Sequence, residues 1–120
     1  MGLPWIRLDT TTFDHPKMLS LMDEGHYRAI VVHMSAMAYS GKHGLDGYIP
    51  RYVLRVLGGL PEDAERLQDA SLWVPAPNGW DINGWRDYQF SSEEDAERRQ
   101  RLSERGRKAA AARWNKESNK

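Results

Sequence analysis

The densest chemistry in this chain is a run of cations. Arg98, Arg99, Arg101, Arg105, Arg107, Lys108, Arg113 and Lys116 fall within one short stretch, with Glu104 the one acid among them, a balance of +7. Guanidinium and ammonium groups at that density bind polyanions, because each neutralised phosphate releases condensed counterions. If about five phosphates were engaged, a fourfold rise in salt would weaken binding by a few hundred-fold, at roughly 0.9 in log K per phosphate per decade of salt. The small side chains of Ala109 to Ala112 would let a helix approach a groove closely, and Trp114 could stack or wedge there. Smaller basic groups lie upstream. Arg51 and Arg55 stand four apart, and Arg86 follows a hairpin pattern. Arg66 and Gln68 are the side-chain types that pair with guanine and adenine edges.

Other chemistries find too few residues. His26 and His33 are seven apart and could share a helix face, but no ligand follows either at the three- or four-residue spacing that metals use. His43 and Asp46 sit in a glycine-rich loop with no third ligand nearby. Gly41, Gly44 and Gly47 punctuate that loop without the Lys-Ser/Thr that completes a phosphate-binding loop. Nucleophile-elbow and paired-carboxylate patterns are missing too. Neither a metal nor a cofactor is implied, and an enzyme is not expected.

The elements that must position the cations follow from composition and pattern. The 120 residues, 40% apolar with five Trp, suffice for one modest core. With no Cys, disulfides are excluded and a reducing cytosol is expected. No apolar run approaches the ~20 residues of a membrane span, so no membrane contact is expected, and no secretory signal pattern opens the chain. Residues 1–90 carry 8 Lys+Arg against 11 Asp+Glu, a balance of −3, whereas residues 91–120 carry 9 against 6, a balance of +3. The expected organisation is therefore a domain over 1–90 and a charged helix or tail over 91–120, basic from 98.

Within the domain, WIRLDTTTF alternates apolar and polar residues and predicts an extended segment able to pair with a hairpin edge. Asp14-His15-Pro16 predicts a helix start, and Gly25 its end. Tyr27, Ile30, Val31, Met34, Met37 and Ala38 recur at helical spacing and predict one buried stripe. Gly47-Tyr48-Ile49 predicts a short strand. A helix with Val53, Leu54 and Leu57 inward follows, then the Gly58-Gly59 turn and a second helix from Pro61. Asn78-Gly79 predicts a type I′ hairpin, with Pro75 and Pro77 marking an edge strand. Ser92 and Asp95, spaced like a capping box, open the last helix. Strand, helix, turn, helix and hairpin in this order predict a mainly α fold, a winged helix-turn-helix with an N-terminal extended segment and a C-terminal basic helix.

Five blocks carry a resemblance: WIRLDTTTFDHPK, DGYIPRYVLRVLGG, LQDASLW, GWDINGWRDYQ and GRKAAAARW. Over roughly residues 4–114 the chain resembles the small helix-turn-helix proteins of actinobacterial phages and prophages. These are similar to the N-terminal winged-helix domains of phage replisome organisers and DnaD-like primosome proteins. Asn83-Gly84 departs from the polar or basic pair often found at that place. The resemblance implies a protein of the bacterial host cytoplasm that binds double-stranded DNA in replication initiation or transcriptional control, with a homodimer left open.

One feature opposes the usual mode of reading. In a winged helix the second helix of the turn motif enters the major groove. Here Pro61 to Ser71 carries Glu62, Asp63, Glu65 and Asp69 against Arg66 alone, a balance of −3. Acids near phosphates repel them. The expectation is therefore DNA binding with most affinity in the tail. The alternative is a protein–protein adaptor or inhibitor of bacterial replication or transcription machinery, with the acidic helix meeting a basic partner.

Overall fold

A computed structural model describes residues 2–89 and 92–118; the side chains of Tyr88, of residues 92–95 and of residues 113–118 lie outside that description. His15 opens the first helix, α1 (Pro16–Asp23): its Nδ1 accepts from the Lys17 amide at 3.2 Å, and Pro16 occupies the first turn. A 3₁₀ turn, Thr12–Asp14, precedes it. Met18 and Leu21, three residues apart and so on one face of the helix, are buried in the core.

The second helix, α2 (Tyr27–Lys42), is the spine, but its buried face differs from the expected stripe. Ala29, Ile30, Val32, His33, Ala36 and Ser40 are buried, whereas Tyr27 and Val31 are each 61% exposed. Two polar residues with internal partners account for the rotation. His33 Nδ1 accepts from Trp73 Nε1 at 3.0 Å. Ser40 Oγ accepts from the Gly47 amide at 2.7 Å and donates to the Tyr48 carbonyl at 3.1 Å. A paired polar group is buried at little cost, so polarity alone does not mark the outer face.

Next come β1 (Tyr48–Pro50), α3 (Val53–Val56), α4 (Pro61–Asp69), β2 (Trp73–Ala76), β3 (Gly79–Ile82), α5 (Trp85–Tyr88) and α6 (Ser92–Ser118). The three strands form one antiparallel sheet in the order β1-β3-β2, with Ile49 and Pro75 both opposite Trp80. The Pro-bearing β2 is an edge strand, as predicted. The hairpin turn sits one residue earlier than the pattern suggested. Ala76 pairs with Gly79, leaving Pro77 and Asn78 as the loop, and of Asn78 and Gly79 only Asn78 has positive φ, at 57°. Pro followed by a positive-φ Asn suits a type II turn rather than type I′. Gly79 meets a different need. A Cβ there would collide with the Ile49 carbonyl, so glycine lets β1 close onto β3.

The core lies between α1, α2, α4 and the sheet, where Met18, Val32, Ile49, Val53, Leu67 and Trp73 are fully buried. Trp73 and Trp80 meet at 5.4 Å between ring centroids with planes tilted by 42°. The N-terminal segment does not extend the sheet. Its Leu3 amide donates to the Gly41 carbonyl at 2.7 Å. At Arg7 the chain is clasped by one side chain. The Arg7 amide donates to Gln89 Oε1 at 2.7 Å, and Gln89 Nε2 donates back to the Arg7 carbonyl at 2.8 Å. The amide of Gln89 thus bonds this segment's backbone as a neighbouring strand could have done.

The described residues therefore form a helical fold with a small three-stranded antiparallel sheet. From it α6 projects, ~40 Å long at 1.5 Å per residue, giving a molecule of 69 × 30 × 21 Å. None of the described helices is long and apolar enough to cross a membrane.

Candidate nucleic-acid interface

Four acids and one arginine made α4 look repulsive to phosphate. Its local chemistry reduces that charge. Asp63, 3% exposed, accepts from the Leu60 amide at 2.8 Å, which caps the helix start, and from Arg28 Nε at 2.8 Å. Glu62 accepts from Arg28 Nη2 at 3.2 Å. The Asp63 hydrogen bond raises the Arg28 pKa above its ordinary value and keeps the guanidinium charged. Two of the four acids thus share the single positive charge of Arg28 on α2, while Glu65 and Asp69 stay exposed. Arg28 was missed at the sequence level, although a cation inside an otherwise apolar helical run is a sign of a charge awaiting a partner.

The two side chains expected to read bases are occupied within the molecule. Arg66 Nη1 lies 2.8 Å from His26 Nε2, which also lies 3.0 Å from Glu24 Oε2, so guanidinium, imidazole and carboxylate form one cluster between α1 and α4. Gln68 Oε1 accepts from Trp80 Nε1 at 3.1 Å. Both residues are half-buried. Releasing either would break a hydrogen bond worth about 1 kcal/mol and expose a partly buried partner.

Arg51 and Arg55 are exposed, as the pattern predicted. The Arg51 amide donates to the Asn78 carbonyl at 2.8 Å, which fastens it to the hairpin tip. Its guanidinium stands 5.1 Å from the Trp80 ring centroid, a cation–π contact. Trp80 therefore holds Gln68 by its N–H and Arg51 by its face. Arg86 is exposed on α5, which starts at Gly84 in the left-handed region (φ 74°). Asn83 Nδ2 donates to the Ser71 carbonyl at 2.9 Å, so the Asn83-Gly84 departure makes a built corner.

On α6 the cations divide into two sets. Arg98 and Arg99 are half-buried, and the Arg98 guanidinium stands 5.4 Å from the Trp5 ring centroid, tying the helix base to the N-terminal segment. Arg101, Arg105, Arg107 and Lys108 are exposed, and Arg107 Nη2 donates to Ser103 Oγ at 3.5 Å. Residues 98, 101, 105 and 108 follow a 3-4-3 spacing, which puts them on one face over ~15 Å of helix. The side chains of Arg113, Trp114 and Lys116 lie outside the described residues, as do those of the Ser92 and Asp95 capping pair. The predicted cations thus form separate groups, one along α6, one at the hairpin and one at α5.

No pattern in the sequence announces a cleft of about 300 Å³ between the N-terminal segment, α1 and α5, with His33 and Trp85 in its wall. Burial pushes the His33 pKa down from 6.5 to about 4, so its imidazole is neutral near pH 7. Among the described residues no three His, Cys, Asp or Glu side chains cluster as a metal site would require. No family model, curated protein or solved structure matches the chain.

Proposed function

We propose that this chain is a winged-helix protein that binds double-stranded DNA chiefly through α6. The order β1, α3, turn, α4, β2, β3 supports the winged-helix reading, with the Pro77-Asn78 hairpin as a very short wing. The observation that carries the binding proposal is the set of exposed cations Arg101, Arg105, Arg107 and Lys108 on a helix that stands clear of the body. Arg51 and Arg55 hold a phosphate strand beside the hairpin, and Arg86 supports the other side. Arg66 and Gln68, tied to His26 and Trp80, position α4 more than they read bases. Binding is then strong at low salt and tolerant of sequence. Replication initiation or transcriptional control is the role that the family resemblance suggests.

The test is duplex binding by the full chain across a salt series. Replacing Arg101, Arg105, Arg107 and Lys108 together by alanine lowers the slope of log K against log salt by roughly 3 to 4, near 0.9 for each phosphate no longer engaged. An unchanged slope removes α6 from the interface.

Exposed Glu65 and Asp69 on α4 favour a second reading, an adaptor whose acidic face meets a basic bacterial replication or transcription protein. Reversing both to lysine would abolish capture of such a partner. It would strengthen DNA binding if α4 lies near the duplex instead.

A further inference from the structure

Helix α2 keeps an apolar face that the body leaves uncovered, and DNA binding through α6 makes no use of it. Tyr27 and Val31 are each 61% exposed, Met34 is half-buried and Ala38 is exposed. Their 4-3-4 spacing sets all four within an arc of about 60° on the helix, the narrow seam of two-helix packing. A neighbouring segment borders this seam. Tyr52 meets Tyr39 of α2 side chain to side chain, Gly59 lies against Val32, and Asp63 holds Arg28. The chain from Tyr52 to Asp63 therefore runs antiparallel beside α2. Tyr52 and Val56, both 69% exposed and one turn apart, and Leu60, 43% exposed, extend the apolar surface. Exposed apolar residues scattered singly need no explanation, but a run of this extent marks an interaction surface.

The seam is its own complement. When it is laid antiparallel on a copy of itself, about a two-fold axis midway between Val31 and Met34, Tyr27 faces Ala38 and Val31 faces Met34. The largest side chain thus meets the smallest, and the stiff one meets the flexible one. Charge selects the same direction. Asp23 and Glu24 are exposed just before α2, and Lys42 is exposed at its end. An antiparallel pair brings the acids of each copy to the lysine of the other and opposes the helix dipoles, whereas a parallel pair sets like charge on like. The area is adequate too. A standard interface buries about 800 Å² on each partner. Two tyrosines, each worth roughly 150–250 Å² when fully covered, supply the larger part of it together with Val31, Val56 and Leu60.

We propose that the outer face of α2 binds a second copy of this chain, the two helices pairing antiparallel along Tyr27, Val31, Met34 and Ala38. Lys42 of each copy meets Asp23 and Glu24 of the other at both ends of the seam, and Tyr52, Val56 and Leu60 close one side. The outward position of Tyr27 and Val31 is then a property of the single chain, and the pair covers both. This pairing does not depend on whether α6 binds DNA.

Sedimentation equilibrium of the full chain at physiological salt tests the proposal. A monomer–dimer equilibrium with Kd below about 100 μM is expected; a monomer throughout that range overturns it. Val31→Glu sets two carboxylates near the two-fold axis and should weaken pairing by about 30-fold or more. Its site is exposed in the single chain, so at concentrations where both proteins are monomers its melting temperature should match the wild type within about 2 °C. Undiminished pairing in Val31→Glu overturns the proposal; if that variant melts lower as a monomer, Ala38→Glu replaces it with the same expectation. Direction is tested by exchanging charge. Lys42→Glu alone, and Asp23→Lys with Glu24→Lys in one chain, should each weaken pairing about fivefold or more, since both ends pass from attraction to repulsion. An equimolar mixture of these two variants should recover wild-type affinity, because opposite charges then meet at both ends. A mixture that pairs no better than either variant alone overturns the antiparallel arrangement.

Discussion

Helices α4 and α6 carry opposite charge and opposite obligations. In α4 four of the six charged or amide side chains are engaged at home: Asp63 and Glu62 with Arg28, Arg66 with His26, and Gln68 with Trp80. In α6, beyond Arg98 and Arg99, the described side chains are exposed through residue 112. The helix that the chain order nominates for reading a groove is thus the one that the core can least spare. Beyond its base, α6 has its described cations, Arg101, Arg105, Arg107 and Lys108, exposed. Position in a fold and availability for contact are separate properties.

The two helices should differ most in what truncation costs the fold. Leu67→Ala in α4 removes a side chain with no exposed surface and should cost ~2–5 kcal/mol in urea unfolding. Leu102→Ala in α6, at a site 53% exposed, should cost less than ~0.5 kcal/mol; similar costs would show that α6 packs on something. Acid should also separate α6 from the body, where His33 is buried on α2. The folded pKa of His33 is below its value of 6.5 in the unfolded chain, so the unfolded state takes up a proton first as pH falls. Stability should decline from pH 6.5 and level off near pH 4 with ~3 kcal/mol lost from this group. His33→Gln should flatten that part of the profile; an undiminished slope would place the acid sensitivity elsewhere.

Smaller effects are expected at the polar ties of α4. Asp63→Ala removes the acceptor of the Leu60 amide and of Arg28 Nε and should cost ~2 kcal/mol in unfolding experiments, while α6 variants leave the midpoint alone. Gln68→Ala leaves the Trp80 N–H unmet and should cost ~1 kcal/mol, with duplex affinity unchanged within about twofold. A large loss of sequence preference in Gln68→Ala would restore α4 as a base reader.

What the sequence disclosed was mostly punctuation. Pro16, Pro61 and the prolines around β2 sit where backbone restriction alone places them. The α2 stripe was misjudged because Tyr27 and Val31 are apolar yet outward, while His33 and Ser40 are polar yet inward. Their partners, Trp73 and the Gly47-Tyr48 backbone, lie in other elements and leave no local trace. The hairpin slipped by one residue because Asn78-Gly79 is a strong turn signal, while Gly79 is required by close approach to Ile49. The basic character of α6 was legible because exposed charge needs no partner. The engagement of Arg66 and Gln68 was hidden, since it depends on residues 40 and 12 positions away.

The Gln89 clasp on Arg7 spans 82 residues, which gives it a place in time as well as in space. The segment it holds is made early but cannot seat until Gln89 has emerged from the ribosome, so closing this long loop falls late in folding. Held at Arg7 by one side-chain amide, it is also suited to open first. Hydrogen exchange at the Arg7 amide would then clock the docking of the N-terminal segment onto the end of α5.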